Sequence, residues 1–283
     1  MKMKSCMMWS AEICVAQLKC ASTGEYDYRG IQAKKTDQAT HKHGMNSRVV
    51  KKIVVLITGQ KCRLELLSKM QHIISPLSYD FEVSVVFSLA ETSNFTNRHK
   101  YKKPFESTNC DIKKILGSTP YYMNDIVYPE LKVNEKITSM YDKKRFGIKF
   151  AQQRAHNHTK QYYTLMNSWD IIKKLNPDIL IRIRDDALLS KSLDISSVLN
   201  DFEKKVMTSS QERHGGINDK LAIVSKQAIK SYLTKPFEVY NSYDENTLQG
   251  KFVNPEQFLS KVYRAYELKL VISDIKIGIL GVS

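Results

Sequence analysis

Ile53-Val54-Val55-Leu56-Ile57-Thr58-Gly59-Gln60 is the stretch that decides the fold. An unbroken aliphatic run, mostly β-branched, reads as a strand buried on both faces, with Thr58-Gly59-Gln60 as its end. A helix is predicted directly afterwards, because Leu64, Leu67, Met70 and Ile74 recur at helical spacing, and Pro76 is expected to stop it. Val83 to Leu89 is a second β-rich run. Strand, helix and strand in that order call for a parallel sheet.

Working outward, Tyr162, Leu165, Met166, Trp169, Ile172 and Leu175 predict one amphipathic helix over 152–175, closed by Asn176-Pro177. The run Asp178-Ile179-Leu180-Ile181-Arg182-Ile183-Arg184-Asp185-Asp186 follows as a strand that delivers two carboxylates at its carboxyl edge. Open α/β sheets hold their ligands at that edge. Beyond it the pattern predicts a helix from Ile195 to Val206, a Gly215-Gly216 turn, a strand from Lys220 to Val224, and a helix from Ser225 to Thr234 capped by Ser225. Asn254 as cap and Pro255 at the first helical position open a last helix to Leu268, before strands at Leu268 to Ile272 and Ile275 to Leu280. Between Glu91 and Lys149 only short helices are expected, near Asp111 to Leu116 and Asn134 to Tyr141, and this stretch reads as an insertion or acceptor-facing region. The class is α/β with a single domain over 49–283, preceded over 1–48 by a polar, poorly ordered or loosely packed extension.

The 44 Lys and Arg against 29 Asp and Glu give a formal charge of +15, a field that favours anionic partners. Nucleic acid, an anionic membrane and phosphorylated small molecules all satisfy it, as does a merely solvated lysine surface. The 5 cysteines contain no C-x-x-C pair and are odd in number, which argues against a zinc ribbon or a complete disulfide framework and for a reducing compartment. No apolar run approaches the ~18 residues of a spanning helix. Lys2 and Lys4 before Cys6 to Leu18 resemble a signal peptide only faintly, because Ser10, Glu12 and Gln17 interrupt the apolar region. The expected location is cytoplasmic.

The strongest chemical feature is Arg182-x-Arg184-Asp185-Asp186 at a strand end. Adjacent carboxylates suit Mg2+ or Mn2+, which take hard oxygen ligands and share them with phosphates, while the arginines suit a diphosphate or orient the carboxylates. A structural Arg-Asp cluster is the alternative. Thr58-Gly59-Gln60-Lys61-Cys62-Arg63 offers a turn into a helix amino terminus, an anion site by its free N–H groups, or an ordinary β-α connection. It is neither a Walker A loop nor G-x-G-x-x-G. Asn218 and Asp219 precede a strand, where they read a sugar hydroxyl, bind a metal or simply form a turn. Glu256, in the first turn of its helix, either complements the dipole or acts as a general base. His156 and His158 lack a zinc-site spacing, and no G-x-S-x-G elbow or kinase loop occurs.

The order of these motifs resembles GT-A-like glycosyltransferases encoded by large algal viruses, bacteria and algae. The residues that carry the likeness are Thr58-Gly59-Gln60 with Arg63, Gln161-Tyr162-Tyr163, Arg182-Ile183-Arg184-Asp185-Asp186, Asn218-Asp219 and Pro255-Glu256, over about residues 50–280. The resemblance implies a Rossmann-like GT-A fold, a mixed and mostly parallel sheet flanked by helices. It implies transfer of a sugar from a nucleoside-diphosphate sugar, with UDP favoured and xylose as the specific candidate, to a hydroxyl of a glycan or glycoprotein acceptor. Thr58, Gly59, Gln60, Arg63, Gln161, Arg182, Arg184, Asp185 and Asn218 would then face the donor. Asp186, with Asp185, would hold Mn2+ or Mg2+, and Glu256, with Asp219 second, would be the base. The pattern has Pro where this chain has Asp185, so Asp186 matches its aspartate and Asp185 is additional. If the source is viral, the location implied is the host cytoplasm.

Rival readings are a basic nucleic-acid-binding protein, a metal-dependent nucleotidyltransferase, and a transferase fold that serves only as an interaction module. Against the first, the basic residues are dispersed and no zinc-finger or RNP pattern occurs. Against the second, Gly59 alone is a thin phosphate-cradling loop.

Overall fold

In a computed structural model, the residues described are 51–91, 109–140, 148–199, 204–211, 213–243, 248, 252 and 254–279. The extension expected over 1–48 lies outside them. Strand β1 (Lys52–Gln60) stands inside a seven-stranded sheet of order β3-β2-β1-β4-β7-β6-β8. The others are β2 (Glu82–Ala90), β3 (Tyr121–Ile126), β4 (Ile179–Arg184), β6 (Lys205–Ser209), β7 (Leu221–Ser225) and β8 (Lys269–Ser273). A separate antiparallel pair joins β5 (Ala187–Leu189) to β9 (Ile277–Ile279). The β3-β2-β1-β4 half is parallel, as in a Rossmann-like sheet, while β7 runs antiparallel to both β4 and β6. The class is therefore α/β, with a mixed, mostly parallel sheet flanked by helices.

The strand period of two sends alternate side chains of β1 into opposite cores. Val54 and Leu56 join Leu180, Val224, Tyr162, Leu233 and Phe258 on one face. Ile53, Val55 and Ile57 join Ile181, Ile183, Phe87, Ile73 and Leu77 on the other. Ile53, Val55, Leu56 and Ile57 have no solvent exposure, and burying each such side chain stabilises the fold by about 1.5–3 kcal/mol. The first face is covered by α4 (Ile148–Asn167), α7 (Ile229–Asn241) and α8 (Pro255–Ala265), with α5 (Trp169–Leu175) beside them. The second is covered by α1, built from Leu67–Lys69, Met70–Ile74 and Ser75–Leu77, and by α2 (Asn109–Leu116). Two short helices, α3 (Glu135–Met140) and α6 (Ser196–Leu199), complete the described elements. Among the described residues no helix is long and apolar enough to cross a membrane.

Several elements depart from the sequence expectations for identifiable reasons. β1 does not end at Thr58: Thr58, Gly59 and Gln60 continue the ladder against Ser88, Leu89 and Ala90. A 3₁₀ turn over Lys61–Arg63 and the connecting residues Leu64 to Leu66 intervene before α1, so no α-helix amino terminus stands beside Gly59. Pro76 does not stop α1. The helix widens to a π turn over Met70–Ile74, where Ser75 N–H donates to Met70 O, and the His72 carbonyl, which Pro76 cannot serve, accepts from Leu193 N–H at 2.8 Å.

The predicted helix over 152–175 is two helices broken at Ser168, whose buried hydroxyl donates to Thr164 O at 2.7 Å and is hydrogen-bonded to Ser88 Oγ at 2.8 Å. The middle stretch contributes a sheet strand, β3, beyond its two short helices. Val206 belongs to β6 rather than to a helix, and Ser225 does not cap by its side chain, because its hydroxyl accepts from Lys205 N–H at 2.8 Å. Asn254 does cap α8, accepting from Gln257 N–H at 2.8 Å.

Candidate active site

The carboxyl ends of β1 and β4 meet at Thr58 and Arg184, which are register partners. Asp185 extends the ladder by one more bond, its N–H donating to Thr58 O at 2.9 Å. Alternation then separates the site's side chains: Arg182 follows Leu180 toward the α4, α7 and α8 face, while Asp185 follows Ile183 toward α1.

Asp185 is fully buried, and each of its carboxylate oxygens is taken. Arg63 Nε donates to Oδ2 at 2.9 Å and Nη2 to Oδ1 at 3.1 Å, and the Gln60 N–H donates to Oδ2 at 2.9 Å. Burial, the largest influence, pushes its carboxyl upward against the pull of Arg63. Asp186 is held the same way by its neighbour: Arg184 Nε donates to Oδ1 at 3.0 Å and Nη2 to Oδ2 at 2.7 Å. Arg63 Nη1 lies 3.3 Å from the same Oδ2, so one carboxylate oxygen bridges two guanidiniums. Burial opposes ionisation of Asp186, but Arg184 and Arg63 outweigh it and hold the group at about 2.

Arg182, itself buried, donates from Nε to Thr58 Oγ1 at 3.0 Å and from Nη1 to the Asp219 carbonyl. Asp219 Oδ2 accepts from Gln161 Nε2 at 3.1 Å and lies 3.7 Å from Arg184 Nη1. Burial again acts upward on Asp219, but Arg184, Arg182 and Lys220 keep it below the usual carboxylate range. Thr58, Gln60, Arg63, Gln161, Arg182, Arg184, Asp185, Asp186 and Asp219 therefore form one connected network, with Gly59 packed on Asp185 at its edge. Asn218 stands apart from it: Oδ1 accepts from Lys220 N–H at 2.7 Å and Nδ2 donates to Gln211 O at 2.7 Å, the work of a turn residue. Lys61, which neighbours Arg63, turns away to Glu91 at 2.9 Å.

Glu256 sits in the first turn of α8 against the β6–β7 connection, whose Ile217 N–H donates to its carbonyl at 3.2 Å. Its Oε2 is buried without a hydrogen-bond partner among the described residues. Burial, and next the charge of Asp219, raise its carboxyl above the ordinary range. Of the two carboxylates expected as bases, Asp219 is thus held by cations, while Glu256 keeps one buried oxygen without a hydrogen bond among the described residues.

Lys69 was not legible as a site residue. Fully buried on α1, its Nζ donates to the carbonyls of Glu65 at 2.5 Å, Asp185 at 3.0 Å and Ala187 at 2.7 Å, with Glu65 Oε2 at 3.5 Å. Burial lowers its own affinity for a proton. The only sequence signal was a lysine among the apolar positions of α1, which is uninformative without the carbonyls it reaches. His158, buried on α4 within the field of Arg154 and Asp219, is pushed down to about 3, first by burial and then by Arg154. Tyr128, whose hydroxyl lies 3.1 Å from Thr164 Oγ1, is a further neighbour of the Arg63 and Asp185 charges.

A divalent cation does not fit this donor set as arranged. Mg2+ and Mn2+ ask for about six oxygen ligands, but the oxygens of Asp185 and Asp186 are occupied by guanidiniums, and Asp219 is shared with Gln161 and Arg184. Among the described residues no three His, Cys, Asp or Glu side chains converge to hold a metal. The expected metal role of Asp185 and Asp186 thus conflicts with their ion pairs.

No family model matches the chain, and no curated relative matches it. Among solved structures it is similar to the glycosyltransferase GlyE of Streptococcus pneumoniae TIGR4, at 9% identity and a TM-score of 0.40, over 80% of this chain. The chain spans about 45% of that structure's length. A likeness of this size bears on neither fold nor function.

Proposed function

We propose that this protein transfers a sugar from a nucleoside-diphosphate sugar to an acceptor hydroxyl, with inversion at the anomeric carbon. The observation that carries the reading is Asp219, which interacts with two unlike groups. Arg184 lies 3.7 Å away and is part exposed at the strand ends; the charge of Asp219 also acts on Glu256, whose buried Oε2 has no hydrogen-bond partner among the described residues. A cationic edge and a separate carboxylate with a free oxygen are the two poles that a displacement at a glycosyl centre requires.

In this reading Glu256 takes the acceptor proton, the acceptor oxygen bonds to the anomeric carbon, and the bond from that carbon to the diphosphate oxygen breaks. The departing diphosphate carries the electron pair, and Arg63 and Arg184 meet its growing charge. The raised proton affinity of Glu256 brings it closer to a working pH near neutrality than an ordinary glutamate. Asp219 is a positioning residue that fixes Arg184 and Gln161 and holds Glu256 upward. The motif resemblance nominates UDP as carrier, xylose as sugar and a glycan or glycoprotein as acceptor.

The test is thermal denaturation of the full chain with a panel of UDP-sugars and GDP-sugars, because a ligand of the native state raises apparent stability by mass action. One nucleotide family should raise the melting temperature, and the responding sugar should be transferred in an activity assay. A shift with arbitrary DNA and with no nucleotide sugar would replace this reading by that of a nucleic-acid-binding protein.

A further inference from the structure

We infer that the aspartate pair at the end of β4 is a splint for arginines, and that the donor diphosphate is held by Arg63 and Arg184 without a divalent cation. This rests on the proposed donor chemistry for the identity of the anion. A ligand arriving at the strand ends would touch guanidinium before carboxylate. The Asp185 and Asp186 side chains are 0% and 2% exposed, whereas those of Arg63 and Arg184 are 22% and 24% exposed. The carboxylates form the floor of the cluster and the guanidiniums its surface. Such a surface offers N–H donors to an anion and buries the oxygens of the aspartate pair away from a cation.

The pairing geometry explains why the carboxylates are there. Each aspartate takes two parallel bonds from one guanidinium, which fixes the plane of a side chain that otherwise has several rotatable bonds. Asp186 Oδ2 touches both arginines, so their spacing is fixed as well as their orientation. A guanidinium has about five N–H groups, and the carboxylates leave some of them on each arginine unused. Two oriented forks on one surface suit a ligand with two linked phosphoryl groups. Behind them Lys69 anchors the Asp185 and Ala187 carbonyls, so the segment that carries both aspartates is held from its buried side. A cation could enter only by displacing a guanidinium from a bidentate pair, and would then meet a protein of formal charge +15.

Calorimetric titration of the full chain with inorganic pyrophosphate, and separately with UDP, in EDTA and in Mn2+, tests this. Pyrophosphate should bind in EDTA, with affinity equal to or higher than in Mn2+, which complexes the ligand in solution. Arg184→Ala should weaken that binding at least tenfold. Asp186→Asn, which puts an amide N–H where an oxygen accepts from a guanidinium, should weaken pyrophosphate binding by about the same factor in EDTA as in Mn2+. Binding that requires Mn2+, or that Asp186→Asn abolishes only when Mn2+ is present, overturns the inference while leaving nucleotide-sugar transfer intact. Pyrophosphate that binds in neither medium overturns it as well. The comparison in two media needs no variant, so a variant that fails to fold does not obscure the result. If UDP binds no better than pyrophosphate and no sugar is transferred, the transferase reading fails while metal-free binding of a diphosphate stands.

Discussion

The Cβ that Gly59 lacks would lie 2.2 Å from Oδ1 of Asp185. Gly59 also has φ +142°, a backbone conformation that side chains rarely adopt, although it is paired as a strand residue. Both facts follow from one requirement, that a buried, doubly paired carboxylate cross directly over the end of β1. Gly59→Ala should therefore destabilise the fold by about 3 kcal/mol, combining overpacking and backbone strain. Urea denaturation reads this, and a loss under about 1 kcal/mol would show that Asp185 can move.

Glu256→Gln should lower kcat by about a hundredfold or more, within the range for a removed general base, with little change in donor affinity. Because it replaces a buried carboxylate lacking a partner for Oε2, it should not destabilise the protein. The wild-type acid limb of kcat should lie above the ordinary 4.5 of a glutamate, since Glu256 is raised and must be deprotonated to accept a proton. An unchanged turnover removes Glu256 from the mechanism.

Lys69→Met should cost about 3 kcal/mol, because it strips a donor from three carbonyls and leaves Glu65 buried beside no cation. Pyrophosphate binding should weaken as well, through loss of the anchored Asp185 to Ala187 segment. A variant with wild-type urea midpoint would show that the segment is held by its backbone alone.

His158 gives the fold a pH dependence of definite sign. Its native proton affinity is depressed to about 3 from an ordinary 6.5, so the unfolded chain binds the proton more readily. Its contribution is complete above pH 6.5 and declines by up to about 1.4 kcal/mol per pH unit as pH falls toward 3. Comparing denaturation of wild type and His158→Gln across that window should remove this slope. Parallel curves would show that other groups set it.

The fold was legible wherever strands are buried on both faces. β1 carries an uninterrupted aliphatic run from Ile53 to Ile57, and β4 a shorter one from Ile179 to Ile181, because helices cover both sides of the sheet centre, and such runs need no partner to be recognised. β3 was missed because it is a half-exposed outer strand whose Tyr121-Tyr122-Met123-Asn124 lacks that signature. β6 was absorbed into a helix because Val206 continues a helical spacing from Ile195, and only pairing with β7 and β8 overrides it. The aspartate pair was visible as chemistry but not as geometry. Asp185's partner Arg63 is 122 positions away, and no local pattern tells a carboxylate awaiting a cation from one already joined to a guanidinium.

The reversed strand β7 alters where a functional residue sits in the chain. A strand running with the others reaches the ligand edge as it leaves the sheet, and so presents the residues after its end, as β4 presents Asp185 and Asp186. β7 reaches the same edge as it enters, and presents the residues before its start, Asp219 and Lys220. The polypeptide thus visits one rim from both polarities. The connection from β6 to β7 bridges two strands fixed in the same sheet, and at Ile217 it leans on the start of α8. Exchanging its tip would recompose the surroundings of Glu256 without disturbing the arginines, so one rim carries a constant half and a replaceable half.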